Sequence, residues 1–244
     1  MSPANLYPKK YGQVLLKNRS IALQEVVMLG DISGRSVLEI GPGPGTITEI
    51  LLERGGLVTA VESDHRFCEA LHMKFDSYVR NGSLKIVKSD FLEITGGNYD
   101  FIIGNIPYHI SSPILFSLEK FSFTKSVIMV QLEFARRMVA KPGTKEYSRL
   151  SISTALRYSA KIEKIVKRGS FYPVPAVDSA IVSIEPSKVK WEYPEDLTNR
   201  ILTDIFSQRR KKLKNIIKNL PDDLMDKRAD ILTIEDLKKI MEIS

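Results

Sequence analysis

The sequence predicts an α/β fold: a mostly parallel, Rossmann-like sheet covered by helices, an antiparallel final strand, and a small C-terminal α-helical domain. Three observations carry this. Short apolar runs alternate with segments of helical period through most of the 244 residues. A glycine-rich turn joins the first clear strand to its helix. After Pro186 the strand-like runs stop and helical period takes over.

The elements follow in order. SVLEI (36–40) reads as a buried strand, and TITEILLERG after it has helical spacing. LVTAVE (57–62) is the second strand, and HRFCEALHMKFDSYV one helix. LKIV (84–87), YDFIIGN (99–105) and SVIMVQL (126–132) are the third to fifth strands, with helical candidates between them. IEKIVKRG (162–169) and SAIVSIEP (179–186) come without a helix between them, which predicts a terminal hairpin with at least one antiparallel strand. PEDLTNRILTDIFSQRRKKLKNIIKNL is helical in period, and TIEDLKKIMEI closes the sequence. The expected domains are 1–187, with an N-terminal arm, and 188–244.

Composition narrows the function classes. A chain with 43% hydrophobic and 27% charged residues is an ordinary globular one. No apolar run reaches the roughly 18 residues that span a bilayer, and MSPANLYPKKYGQ has no apolar signal core, so a cytoplasmic protein is expected. The single cysteine, Cys68, leaves no intramolecular disulfide and no cysteine-rich zinc site. His65, His72 and His109 have no metal-site spacing, and no metal is expected. A net charge of +7 favours a polyanionic partner.

LEIGPGPGTIT (38–48) lies between the first strand and helix. Gly41, Gly43 and Gly45 let the backbone turn sharply and approach a ligand closely, and Thr46 is placed to cap the helix. No Lys-Ser/Thr pair follows, which argues against a Walker nucleotide site. Glu62, 21 positions after Gly41, ends the second strand and suits two ribose hydroxyls. Asp90, in KSDFLEI, follows the third and can accept from an adenine amino group. Either acid alone can equally be a turn or helix cap; together they outline a nucleoside pocket at the carboxyl edge of the sheet. A dinucleotide stays open, but no second phosphate loop is evident, and S-adenosylmethionine, which has no phosphate, suits the site better.

Asn105-Ile106-Pro107-Tyr108 ends the fourth strand beside that pocket. An adenine N6 amine is a poor nucleophile because its lone pair is delocalised. The Asn105 side-chain carbonyl and a backbone carbonyl, that of Ile106, can accept its two N–H bonds and aim the lone pair at a methyl donor. Pro107 fixes the chain direction, and Tyr108 can stack on the base. GSFYPVPAVDSAIV (169–182) presents Phe171 as the other side of a base sandwich, or simply as a packed hairpin loop.

On these residues the chain resembles the small-subunit ribosomal RNA adenine dimethyltransferases of the KsgA type, in their archaeal form. KKYGQ, LEIGPGPGTIT, VESD, SDFL, GNIPYHISSPIL, EYSRLSI, FYPVPAVDSAIV and FSQRRKKLKN carry the resemblance over nearly the whole length. It implies a class I methyltransferase fold with S-adenosylmethionine as cofactor. It also implies four methyl transfers to the N6 atoms of two adjacent adenosines in the hairpin loop near the 3′ end of small-subunit (16S) rRNA. By motif position, Gln13, Val14, Leu16, Gly41, Gly43, Gly45, Glu62, Ser63, Asp90, Phe91 and Asn105 would border the cofactor, and Tyr108 and Phe171 would hold the base. Two departures stand out. Val14-Leu15-Leu16 replaces the usual Asn or His followed by Phe-Leu, and Gln131-Leu132-Glu133 replaces Gln-Lys-Glu.

An RNA substrate gives the basic segments a purpose. Arg209, Arg210, Lys211, Lys212 and Lys214 crowd one expected helix, and Arg136, Arg137 and Arg149 form a second cluster after the fifth strand. A charged helix is also often merely solvated. Competing functions are a large-subunit rRNA methyltransferase, a glutamine methyltransferase, and a non-catalytic small-subunit assembly factor. The glutamine enzymes usually have proline directly after the Asn, where this chain has Ile106. The acids Glu62 and Asp90, with Asn105, favour catalysis over binding alone. A monomer is expected.

Overall fold

The computed structural model describes residues 15–243, so Gln13 and Val14 lie outside the described residues. Seven strands make one sheet: β1 (Ser36–Ile40), β2 (Leu57–Glu62), β3 (Leu84–Lys88), β4 (Phe101–Asn105), β5 (Lys125–Gln131), β6 (Tyr158–Val166) and β7 (Ser179–Pro186). Their spatial order is β3-β2-β1-β4-β5-β7-β6. β1 pairs in parallel with β2 on one side and β4 on the other, and β2–β3 and β4–β5 are parallel too. The chain builds outward from β1 in one direction, then returns to build in the other. At such a reversal the connections after the two central strands diverge and open a crevice at their carboxyl ends.

The central strands carry near-continuous apolar runs. Val37, Leu38, Ile40, Ile102, Ile103 and Val127 to Val130 are all buried, as in a sheet covered on both faces. β7 is antiparallel to β5, running from Ser179 opposite Gln131 to Ile184 opposite Ser126. It lies inside the sheet, and β6 takes the edge beside it.

The helices are α1 (Arg19–Leu29), α2 (Thr46–Glu53), α3 (His65–Lys74), α4 (Asp76–Arg80), α5 (Ser111–Ser117), α6 (Leu132–Met138), α7 (Arg149–Arg157), α8 (Glu195–Ser207), α9 (Asp222–Met225) and α10 (Ile234–Met241). The sequence reading did not name α1. Its signals are Asn18, whose side chain caps Ser20 N–H, and the buried stripe Ile21, Ala22, Glu25, Val26, Leu29.

Three local expectations are corrected. The helix expected over 65–79 breaks at Phe75, whose φ of −117° and ψ of 27° turn its ring into the core. Thr46 does not cap α2: the cap position falls on Gly45 in left-handed conformation, and Thr46 is already helical. The basic stretch 208–218 does not continue α8, which stops at Ser207. Four consecutive cations follow there, and like charges a turn apart oppose a helix. Instead Leu213 N–H bonds the Lys227 carbonyl at 2.8 Å, and its buried side chain joins the local core.

By contact, the described residues form two compact units. One comprises 15–134 with Lys161–Pro186, the other Ala135–Ala160 with 187–243. The second unit has its own apolar core, including Ile152, Leu156, Leu202, Ile205, Leu224, Leu237 and Ile240. Tyr147 donates its hydroxyl to the Leu232 carbonyl within it, at 2.5 Å.

Beneath the crevice, Glu39 of β1 is buried and accepts the Thr48 hydroxyl at 2.7 Å. Burial pushes its carboxyl from 4.5 up to about 8, against the Thr48 bond. Between those values the folded protein holds a proton that the unfolded chain has released, so this group makes stability fall as pH rises. Glu39→Gln removes the ionisation and keeps an acceptor for Thr48. The melting-temperature difference, variant minus wild type, should therefore grow between about pH 5 and about pH 9. Differential scanning calorimetry across that range checks this; a constant difference would mean that Glu39 does not titrate there.

Candidate active site

The crevice is built from the ends of β1, β2 and β4. Gly41 and Gly43 follow β1 with φ of 65° and 53°, values that favour glycine. Gly41 N–H bonds the Val61 carbonyl at 2.9 Å, and Gly43 N–H bonds Glu62 Oε2 at 3.0 Å. Glu62 Oε1 accepts from Asp64 N–H at 2.9 Å. Thus Glu62 ties the glycine loop to the end of β2. Desolvation pushes its pKa up, while the backbone donors of Asp64 and Gly43 pull it down. Each carboxylate oxygen keeps a further lone pair, so the tie does not preclude bonds to a ligand.

Asp90 performs a cap as well: its Oδ1 accepts from Leu92 N–H at 2.9 Å. Phe91, next to it, is buried and stacks on Phe121 at 5.3 Å. Asn105 ends β4, and Ile106 N–H continues the ladder to the Met129 carbonyl at 3.0 Å. Pro107 turns the chain with φ of −57°, and its carbonyl accepts from Ile110 N–H at 3.1 Å. The Tyr108 hydroxyl meets Ser179 Oγ at 2.7 Å, which fixes the ring. Asn105 Oδ1 is buried and has no partner among the described residues.

One cavity of about 890 Å³, open mouth included, gathers most of the expected residues. Gly41, Gly43, Glu62, Ser63, Asp90, Phe91, Asn105, Ile106, Pro107, Tyr108 and Phe171 all line it. Its size falls in the range of small-ligand sites. Leu16 is not in the lining; it pairs with Phe171 in a two-residue antiparallel ladder, and its neighbour Leu15 faces the cavity. Gly45 is also outside. A Cβ there would lie 2.7 Å from side-chain atoms of both Leu71 and Phe75, and the left-handed φ of 82° itself favours glycine.

Sequence reasoning did not identify Ser89, Ser179 or Gly104. Ser179 was visible as a polar residue ending FYPVPAVDS, but nothing local tells that it reaches Tyr108. At Gly104 a Cβ would lie 2.6 Å from the Ile40 carbonyl oxygen. Nothing larger than glycine lets β4 lie this close to β1.

The basic residues fall in the second unit. Arg136 and Arg137 are exposed on α6. Arg149 donates to Thr203 Oγ1 at 2.6 Å, and Arg209 to the Lys145 carbonyl at 3.2 Å. These bonds join clusters that are about 60 positions apart in sequence into one unit. Arg210 and Lys211 are exposed, while Lys212 and Lys214 share the Asp226 carboxylate at 3.0 and 2.9 Å.

A family model described as ribosomal RNA adenine dimethylase matches residues 4–243. The chain belongs to the ribosomal RNA adenine dimethylase family. Two archaeal relatives carry the name "Probable ribosomal RNA small subunit methyltransferase A". That of Thermococcus sibiricus is 37% identical over 99% of this chain and 94% of its own length. That of Pyrococcus furiosus is 38% identical over the same shares. Among solved structures, a dimethyladenosine transferase from Plasmodium falciparum superposes with a TM-score of 0.82 at 29% identity, covering 94% of this chain and 96% of that one. The 23S rRNA methyltransferase ErmE superposes at 0.74 with 23% identity, over 93% and 98%. At that identity the second match speaks for the fold alone, which is that of a methyltransferase.

In this dimethylase, Gly104→Ala puts a methyl group against backbone that cannot move aside. Overpacking of this kind costs about 1–3 kcal/mol. The variant should melt several degrees lower and lose affinity for S-adenosylmethionine, measured by calorimetry. A variant with unchanged melting and affinity would show that the β1–β4 contact is not under this constraint.

Proposed function

We propose that this dimethylase converts two adjacent adenosines in the 3′-terminal hairpin loop of small-subunit (16S) rRNA to N6,N6-dimethyladenosine, and so takes part in small-subunit biogenesis. The observation that carries the reading is the orphaned Asn105 Oδ1 at the end of β4, beside the glycine loop and Glu62. A buried acceptor without a partner costs about 1–3 kcal/mol, and an amine N–H entering the cavity relieves that cost.

The protein is an S-adenosylmethionine-dependent enzyme, and its residues suit that cofactor. The bend at Gly41 and Gly43 admits close approach, Glu62 offers carboxylate lone pairs for ribose hydroxyls, and Asp90 offers an acceptor for the adenine amine. When bound, S-adenosylmethionine supplies a methyl group on a positively charged sulfur. The chain's own residues then act on the acceptor base. Asn105 Oδ1 accepts one N6–H, and the Ile106 carbonyl accepts the other. Two acceptors below the ring plane draw the amine out of conjugation and concentrate its lone pair on nitrogen. Tyr108, anchored by Ser179, and Phe171 hold the base plane. The amine releases its proton after transfer, so no strong general base is required, and the rate comes from positioning and electrostatics.

The substrate base has to leave its stack, which is easiest in a loop. Phosphate contacts from Arg136, Arg137, Arg149, Arg209, Arg210, Lys211, Lys212 and Lys214 would position the RNA without reading its sequence. We place the enzyme in the cytoplasm as a monomer. Among the described residues no helix is long and apolar enough to cross a membrane.

The direct experiment supplies labelled S-adenosylmethionine to undermethylated small subunits, large subunits and protein substrates, followed by nucleoside analysis. Dimethyladenosine from small subunits alone is expected, with Asn105→Ala lowering kcat by about 100-fold or more. Label in large-subunit RNA or in protein would reassign the substrate. The paired change Arg136→Glu and Arg137→Glu should weaken RNA binding across sequences and lower the slope of log affinity against log salt by about two. Filter binding at several salt concentrations measures it, and an unchanged slope would remove these arginines from the interface.

A further inference from the structure

α1 carries a side chain that its packing does not explain. Glu25 is fully buried in the apolar stripe that α1 lays on the sheet, between Ala22 and Val26. Neither carboxyl oxygen has a partner at full hydrogen-bond geometry among the described residues, and no ion pair there involves Glu25. Leaving an unpaired carboxyl in such a place is costly, and a leucine would pack the stripe at no such cost.

α1 packs against β4, whose last residue is Asn105. The Asn105 side chain opposes the effect of burial on the Glu25 carboxyl, which desolvation pushes up to about 8; Glu39, the other carboxyl in reach, raises it further. Asn105 in turn has a buried Oδ1 with no partner among the described residues. A buried carboxyl and a half-buried amide whose Oδ1 is buried, both without partners among the described residues, therefore adjoin, the amide at the cavity wall and the carboxyl behind it.

A carboxamide has two ends of nearly equal shape, one accepting and one donating. Only the accepting end serves an incoming amine. Something has to favour the rotamer that turns Oδ1 toward the base, and Oδ1 itself has no bond among the described residues that would do so. We propose that Glu25 is a positioning residue for methyl transfer: its carboxyl accepts the Asn105 Nδ2–H from behind and leaves Oδ1 to the substrate amine. In the structure the pair adjoins without a closed bond, and entry of the base completes the chain amine–Asn105–Glu25. This rests on Asn105 holding the acceptor amine.

The test compares wild type, Glu25→Gln, Glu25→Leu and Asn105→Ala on undermethylated small subunits, with S-adenosylmethionine affinity and melting temperature measured in parallel. Glu25→Leu should lower kcat at least tenfold, while KM for subunits and cofactor affinity stay within about twofold. Its melting temperature should not fall, because an unpaired carboxyl has gone. Glu25→Gln, whose amide carbonyl still accepts from Nδ2–H, should keep a larger share of kcat than Glu25→Leu. A lower melting temperature together with a uniform loss of activity and cofactor binding would make Glu25 merely structural and overturn the proposal. Full activity of Glu25→Leu alongside an inactive Asn105→Ala would overturn it while leaving the reading of the site intact. Full activity of Asn105→Ala would remove that reading, and the proposal with it. Should Glu25→Leu fail to fold, the Gln variant decides through the double change with Asn105→Ala. A Glu25→Gln loss that vanishes in the Asn105→Ala background supports the coupling, and a loss that persists undiminished refutes it.

Discussion

The contact between β1 and β4 at Ile40 and Gly104 sets the geometry on which the rest of the site depends. The two strands are parallel neighbours, with Ile40 opposite Gly104. One residue beyond this pair the chain becomes chemistry on both sides: Gly41 opens the glycine loop, and Asn105 presents its amide. Because the register is fixed by apolar side chains buried on both faces, a one-residue slip would turn every one of them to the wrong face. The loop and the clamp are thus held in register by the core, and only glycine permits the approach at that point. The glycine loop and the Asn105 turn are two exits from one strand pair.

Three carboxyls lie buried around this pair, and they are satisfied to different degrees. Glu62 receives two backbone N–H bonds and ties the loop. Among the described residues, Glu39 receives one hydroxyl and keeps one oxygen without a partner, and Glu25 has neither oxygen bonded. Buried carboxyls of this kind raise each other's pKa, and their clustering is typical of functional sites rather than of stable cores. The gradient has a direction. The group that ties the glycine loop is the best satisfied, and the group behind the Asn105 amide is the least. A fold selected for stability alone would have replaced the last with a hydrocarbon.

Much of this was legible in the sequence, for identifiable reasons. Strand runs such as SVIMVQ read correctly because a sheet buried on both faces demands continuous apolarity. Glu62, by its spacing from Gly41, and Asp90, by its place after the third strand, were expected at one edge, since a parallel sheet brings successive strand ends together, and both line the cavity. What stayed hidden depends on contacts between distant segments. The tyrosine ring at 108 depends on Ser179, 71 positions away. Gly104 looked like an ordinary strand residue because its neighbour Ile40 is remote in sequence. The helix through 208–218 was expected from period alone, whereas Leu213 bonding Lys227 overrides that period. Glu25 escaped notice because one acid in an apolar stripe looks like a surface residue until the stripe is seen to be covered.

The same distinction bears on how the basic residues act. Lys212 and Lys214 share one carboxylate, and both lysines and Asp226 are partly exposed. Exposed pairs of this kind are worth about 0–1 kcal/mol, so a phosphate can take either lysine from Asp226 at little cost. Arg149 and Arg209, by contrast, spend one N–H each on a hydroxyl and a carbonyl of their own unit, which leaves their charge unneutralised and their guanidinium planes held. Held arginines lose little further freedom on meeting a phosphate, while the lysines contribute mainly field. On the proposed function, the second unit would attract RNA broadly and orient it through these guanidinium groups, and the cavity, with the orphaned Asn105 Oδ1 in its wall, would select the base.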